Sequence, residues 1–236
     1  MARRSAALVV AALALLAACS GEPSAQPRRH TPPRAVPATT ATGQPGAPPP
    51  SALGASNGEI LPDGIVQLVI AEPHLDGYDR DLFGGEGDAD HDCQNTRAEV
   101  LIAESRVPVT FTSPASCTVA TGQWVDPWSG AVTTFASALE VDHTVALANA
   151  WRSGAWSWTR EQRFAFANDL THNGHLVAIP SAENQSKADD GPDVWRPPLG
   201  TTWCAYARVW TAIKARWNLS ATPAEWSAIL EMASTC

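Results

Sequence analysis

Leu139-Glu140-Val141-Asp142-His143-Thr144-Val145-Ala146-Leu147 sets an acid and a histidine side by side where an apolar strand gives way to a helix. Residues 138–142 (ALEVD) read as the strand, and 144–155 (TVALANAWRSGA) carry apolar residues at helical spacing. Neighbouring residues at a strand end point in different directions, so Asp142 and His143 can address one reacting group from two sides. An imidazole can take a proton from water near neutral pH. A carboxylate is an oxygen ligand for a hard cation. Further on, Phe166-Ala167-Asn168-Asp169 and Asn184-Gln185-Ser186-Lys187 add two asparagines, and the amide oxygen of Asn184 is a second oxygen ligand. Taken singly, each of these residues is more often a cap or a hydrogen-bonded structural group. Their combination carries the chemistry.

Working outward, residues 60–71 read as a short helix from Asp63 on, and 76–92 (DGYDRDLFGGEGDADHD) as an acidic, Gly-rich loop. A helix is expected over 96–105 and strands over 107–111 and 117–120. The turn sequence DPWSG separates 123–125 from 132–135, a hairpin ahead of the 138–142 strand. Helices are expected over 159–167 and 201–217, with a short apolar segment at 176–179 between them. A last helix starts at Thr222-Pro223-Ala224-Glu225, which supplies an N-cap, a first-turn Pro and an early acid. Most of the ten Trp should be core.

The first 18 residues read as an export leader: Arg3 and Arg4, then an apolar run too short to span a bilayer. The run ends in Leu16-Ala17-Ala18-Cys19, a lipoprotein cleavage pattern, so Cys19 is the expected lipid attachment point, and an extracytoplasmic protein, membrane-anchored or secreted, is expected. Residues 19–58, rich in Pro and Ala, read as a disordered tether, and 59–236 as one domain. Cys93, Cys117, Cys204 and Cys236 remain, an even number suited to an oxidising compartment. Of three connectivities, Cys93–Cys117 with Cys204–Cys236 closes local loops. No C-x-x-C pair supports a zinc site.

The net charge is −8. Residues 57–141 hold 14 acids against 3 arginines, whereas 142–236 hold 9 acids against 8 Lys and Arg. Salt-dependent clamping of a long duplex is therefore not expected. Asp88, Asp90, Asp92, Gln94, Thr96 and Glu99 fall at the spacing of a calcium loop, with Asp88, Asp90, Asp92 and Glu99 as candidate acidic ligands, but Cys93 stands where that loop needs Gly. His172 and His175 read as loop histidines.

The chain resembles the HNH endonuclease superfamily, and within it small exported nucleases related to the C-terminal parts of modification-dependent restriction enzymes. The resemblance is carried by GYDRDLFG, the run of three Asp leading through Cys93 to Arg97, TGQWVDPWSG, EVDHTVALANAW, FAND, NQSKADDGPDVWRPP and WCAYARVWTAIKARW. It implies an α+β fold with a ββα-metal core, flanking helices, a short hairpin or sheet and two disulfides. It implies a monomeric hydrolase of phosphodiester bonds in DNA, and in RNA as a further substrate, with little sequence specificity. His143 is implied as general base, Asp142 and Asn184 as ligands of a divalent metal (Mg²⁺, with Mn²⁺ as substitute), and Asn168 as the residue that orients the site. Lys187, Arg97 and Arg163 are implied as substrate contacts. Val145-Ala146-Leu147 departs from the family's Val-Pro-Leu. The alternative expectation is a non-catalytic, calcium-stabilised surface lipoprotein.

Overall fold

The computed structural model describes residues 58–236. The leader, Cys19 and nearly all of the 19–58 tether lie outside them. The described chain is α+β. Its elements run α1 (Thr96–Glu104), β1 (Thr110–Phe111), β2 (Val119–Val125), β3 (Val132–Phe135), β4 (Leu139–His143), α2 (Leu147–Arg152), α3 (Arg160–Ala167), β5 (Leu176–Pro180), α4 (Ser181–Lys187), α5 (Trp203–Arg216) and α6 (Pro223–Ala233). Among the described residues no helix is long and apolar enough to cross a membrane.

The strands form two antiparallel sheets. One is ordered β1-β2-β3, with the expected hairpin at its β2–β3 edge. The other is the pair β4–β5, in register from Leu139 opposite Pro180 to His143 opposite Leu176. The partner of β4 is thus not the preceding hairpin but the apolar segment at 176–180, which sequence periodicity left without an assignment. Leu176, Val177, Ala178 and Ile179 are all buried, so this strand has no polar face to give a period of two. It turns at Pro180 directly into α4, and the result is a strand–strand–helix unit.

Two cores support that unit. The smaller joins α1 to the sheets through Ala98, Val100 and Leu101 against Val119, Trp124, Leu139 and Ala178. The larger gathers Phe166, Tyr206, Trp210, Ile213 and Ile229 beneath α2, α3, α5 and α6. Six of the Trp are buried as expected, whereas Trp156 is 48% exposed and stacks on His74. The helix starts follow the caps in the sequence. Thr159 with Gln162, and Thr222 with Glu225, form reciprocal capping boxes. The remaining capacity of Glu225 is used inside: it accepts from Asn149 of α2 and from the buried Lys214 of α5.

Residues 60–71 depart from the expected helix. Leu61-Pro62-Asp63-Gly64 makes a turn instead, with Gly64 at φ +83° and the Asp63 carboxylate accepting from Ile65 N. The chain then runs extended to a parallel bridge between Ile70 and Ala221. Cys93–Cys117 and Cys204–Cys236 are bonded, the connectivity favoured by local loops.

His175 lies in the loop just before β5, as expected, yet it is only 1% exposed. Its Nε2 lies 2.7 Å from Phe166 O, and its ring packs edge-on against Phe166. Burial pushes its pKa down to about 4. Asp169 pulls it upward, while His172 and Arg216 push it down. His143 faces it from β4.

Two outcomes are expected. Replacing both Cys204 and Cys236 by Ala frees a cross-link spanning 32 residues and should cost ~2–4 kcal/mol in urea unfolding. The neutral, buried His175 contributes stability that is complete above its unfolded pKa near 6.5 and is lost as pH falls toward 4. That contribution should shrink by about 2 kcal/mol between pH 7 and 4.5. His175→Gln should therefore be less stable than wild type at pH 7 but have a flatter melting temperature against pH. A parallel pH dependence in the two proteins would refute this.

Candidate active site

The unit β4–β5–α4 places Asp142, His143 and Asn184 around one cleft of about 310 Å³, which Tyr78, Arg80 and Asp189 also line. Asp142 and His143 sit at the end of β4, and Asn184 is on the first turns of the helix that follows β5. The alternation of β4 separates the two adjacent side chains: Asp142 is buried, and His143 is half-buried.

Asp142 has unequal oxygens. Its Oδ1 accepts from Lys187 Nζ at 2.9 Å, while Oδ2 is buried with no hydrogen-bond partner. Burial pushes its pKa up against the pull of Lys187. An orphaned carboxylate oxygen costs desolvation without return unless something cationic or protic meets it. Glu140, two residues earlier on the same strand face, accepts from the Asn184 amide nitrogen. That contact turns the Asn184 oxygen away from Glu140 and leaves it free as an acceptor.

His143 is held by its ring. Nε2 lies 2.9 Å from Ala167 O. A carbonyl can only accept, so Nε2 carries the proton and Nδ1 keeps the lone pair in the neutral ring. Burial, the neighbouring His175 and the nearby charges of Arg80 and Lys187 push the pKa down to about 3, outweighing the upward pull of Ala167 O, so the imidazole is neutral at physiological pH. Phe166 stacks on it, centroids 6.3 Å apart.

Asn168 stands outside the cleft, at the C-terminus of α3. Its Nδ2 donates to Gly85 O at 3.0 Å and its Oδ1 accepts from Gly87 N at 2.8 Å and from Thr96 Oγ1. It ties the segment 84–87 to the helix whose last residue, Ala167, holds His143.

Of the three basic residues implied as substrate contacts, Lys187 and Arg163 are placed otherwise. Lys187 is fully buried, its Nζ committed to Asp142 and to His143 O, because the last turn of α4 faces inward. Arg163 donates to Leu82 O, Ala155 O and Trp158 O and lies over the Trp151 ring, so it serves packing. Arg97 uses Nη2 on Ala136 O and Leu139 O, bracing the start of β4. It also lines a smaller cavity of about 130 Å³ on the other side of His143. A cavity of about 480 Å³ between α1 and β2 is lined by no histidine or carboxylate.

In the acidic loop, carboxylate oxygens of Asp88, Asp90 and Asp92 lie within 4.8 Å of one another. Asp88 accepts from His91 N and Cys93 N, and Asp92 from Gln94 N. Cys93, at φ +75°, adopts the conformation that the calcium-loop pattern assigns to Gly. Glu99 does not join the cluster, although burial and these three acids push its pKa up.

Glu140, which holds Asn184, and Arg80, which lines the cleft, were not singled out from the sequence. Glu140 was readable, since strand alternation puts it on the face of Asp142. Arg80 was not, because only the folded chain brings residues 76–87 to His143.

Residues 109–232 match the family model described as GmrSD restriction endonucleases, C-terminal domain. An uncharacterized secreted protein of Arthroderma benhamiae is 42% identical over 196 residues, covering 83% of this chain and 93% of that protein. No solved structure matches the chain. Asp142, His143, Asn168 and Asn184 all fall inside the matched span, and the chain belongs to the family of the GmrSD restriction endonuclease C-terminal domain.

Proposed function

We propose that the protein is a metal-dependent endonuclease of the HNH type, in which β4, β5 and α4 form the ββα-metal core and His143 is the general base. The observation that carries this reading is the pairing, in one cleft, of a neutral imidazole with a free Nδ1 and a buried carboxylate with a partnerless oxygen. Asp142 Oδ2 and the Asn184 amide oxygen are the atoms that would hold a divalent cation, Mg²⁺ or Mn²⁺. Both are hard oxygen donors of the kind such ions take. When bound, the ion supplies charge stabilisation at the scissile phosphate and the leaving oxygen.

The chain's own residues do the rest. His143 Nδ1 takes a proton from the attacking water, and Ala167 O accepts from Nε2–H and stabilises the imidazolium that results. Phe166 and His175 fix the ring plane. Lys187 holds Asp142 by one oxygen and so presents the other. Glu140 orients Asn184. The substrate is nucleic acid, DNA first and RNA as a further substrate. With few free cations in an acidic molecule, little sequence specificity is expected.

The secreted relative and the leader-like first residues support an extracytoplasmic location, with Cys19 as lipid anchor. In the native host, Cys19→Ser should move the protein from the membrane fraction to the medium. Retention in membranes would count against the anchor. The Asp88–Asp90–Asp92 cluster favours a second reading, a calcium-stabilised surface module without catalysis.

Plasmid DNA and RNA incubated with the full chain, with Mg²⁺, Mn²⁺ or chelator, separate the two. His143→Ala should lower the cleavage rate by roughly 10²–10⁴-fold while leaving the melting curve cooperative. Chelator should abolish cleavage. Equal degradation by His143→Ala, or activity that survives chelation, would sink the nuclease mechanism. A calcium-dependent rise in melting temperature without any cleavage would favour the second reading.

A further inference from the structure

We propose that residues 76–87 form the second wall of the substrate groove and that Arg80 on this strap grips a phosphate of the nucleic acid being cut. The inference rests on the nuclease reading above and adds a substrate contact that lies outside the family-matched span, which begins at residue 109.

Placement is the first argument. Arg80 lines both cavities that flank His143, the larger with Tyr78 and the smaller with Gly85 and Glu86. Its charge reaches the imidazole of His143. A phosphate lying beside His143 would therefore meet this guanidinium.

Availability is the second. Arg80 is exposed, and its side chain has no hydrogen bond or ion pair with any described residue. The other arginines around the cleft are engaged or buried, and Arg97 keeps only a buried Nη1 without a partner. Arg97 and Arg163 donate to backbone carbonyls, and Arg152 holds both the carboxylate and the carbonyl of Asp189 at 2.6 Å. Lys187 is buried against Asp142. A guanidinium presents donors in a planar fork that matches a phosphate, and here that fork is unused.

Rigidity is the third. Phe83 is buried against Phe166, with centroids 6.4 Å apart. Trp151 Nε1 donates to Asp76 O at 2.9 Å, and Arg163 Nε to Leu82 O at 3.2 Å. Asn168 holds Gly85 and Gly87 from both sides of its amide. The strap lies flush on α3: a Cβ at Gly84 or Gly87 would come within 2.9 or 2.8 Å of the Phe164 ring. A clamp fixed before substrate arrives loses little entropy on binding. Asn168 is, on this account, a positioning residue that acts through the strap.

The test compares wild type, Arg80→Gln and Arg80→Lys as full chains, cutting a labelled single-stranded DNA oligonucleotide and plasmid DNA in Mg²⁺. Arg80→Gln should lower kcat/KM by roughly 10–100-fold. It should also make log kcat/KM about one unit less steep against log salt concentration, with an unchanged melting temperature. Arg80→Lys, a point charge without the fork, should recover part of the rate and all of the salt slope. If wild type cuts while Arg80→Gln keeps both rate and salt slope, the strap inference is overturned and the nuclease reading stands. If wild type cuts nothing, or His143→Ala cuts as well as wild type, the nuclease reading falls and the inference with it.

Discussion

Lys187 has no water to turn to. Its ammonium sits at 0% exposure between Asp142 Oδ1 and the carbonyl of His143, 2.9 Å from each. Burying such a pair is costly, and removing either partner leaves an uncompensated charge that costs ~3–5 kcal/mol. The pair therefore fixes where α4 can lie on β4. It also decides what Asp142 can offer, because one oxygen is taken and the other is kept bare. Stability and chemistry meet in this contact: the lysine that locks the helix is the group that leaves Asp142 Oδ2 free to act.

The same economy governs the imidazole. Aromatic packing and burial hold it neutral, and a main-chain carbonyl selects which nitrogen carries the proton. That carbonyl belongs to Ala167, the last residue of α3, and the next residue, Asn168, reaches across to the Gly-rich segment. One helix end thus sets the tautomer of His143 with its backbone and the position of residues 84–87 with its side chain. Substitutions at 168 should be read through both connections.

Much of the site was legible from the chain alone because it is local. The strand end at Asp142-His143, the capped helices and the local disulfide loops are dictated by residues near one another. The pairing of β4 was not legible. Its partner lies more than thirty residues downstream and is buried on all sides, which erases alternation, and α4 (SAENQSK) lacks an apolar stripe. The basic residues misled for a related reason. Charge is visible in a sequence, but whether a guanidinium faces solvent or a carbonyl depends on packing. Lys187 and Arg163 turned inward, while Arg80, flanked by acids, stayed free.

The bridge between Ile70 and Ala221 defines the unit that must fold together. Ile65 and Leu68, near the start of the described chain, are buried in the same core as Ile229 and Met232 near its end. α1 fills the smaller core beneath β2 and β5. The family-model match begins only at residue 109, after Ile65, Leu68, Ile70 and α1, although the similarity to the secreted relative reaches back across them. The boundary of the family-model match and the boundary of cooperative folding are therefore different places in this molecule. A fragment cut at the first would expose the apolar faces that the second keeps covered.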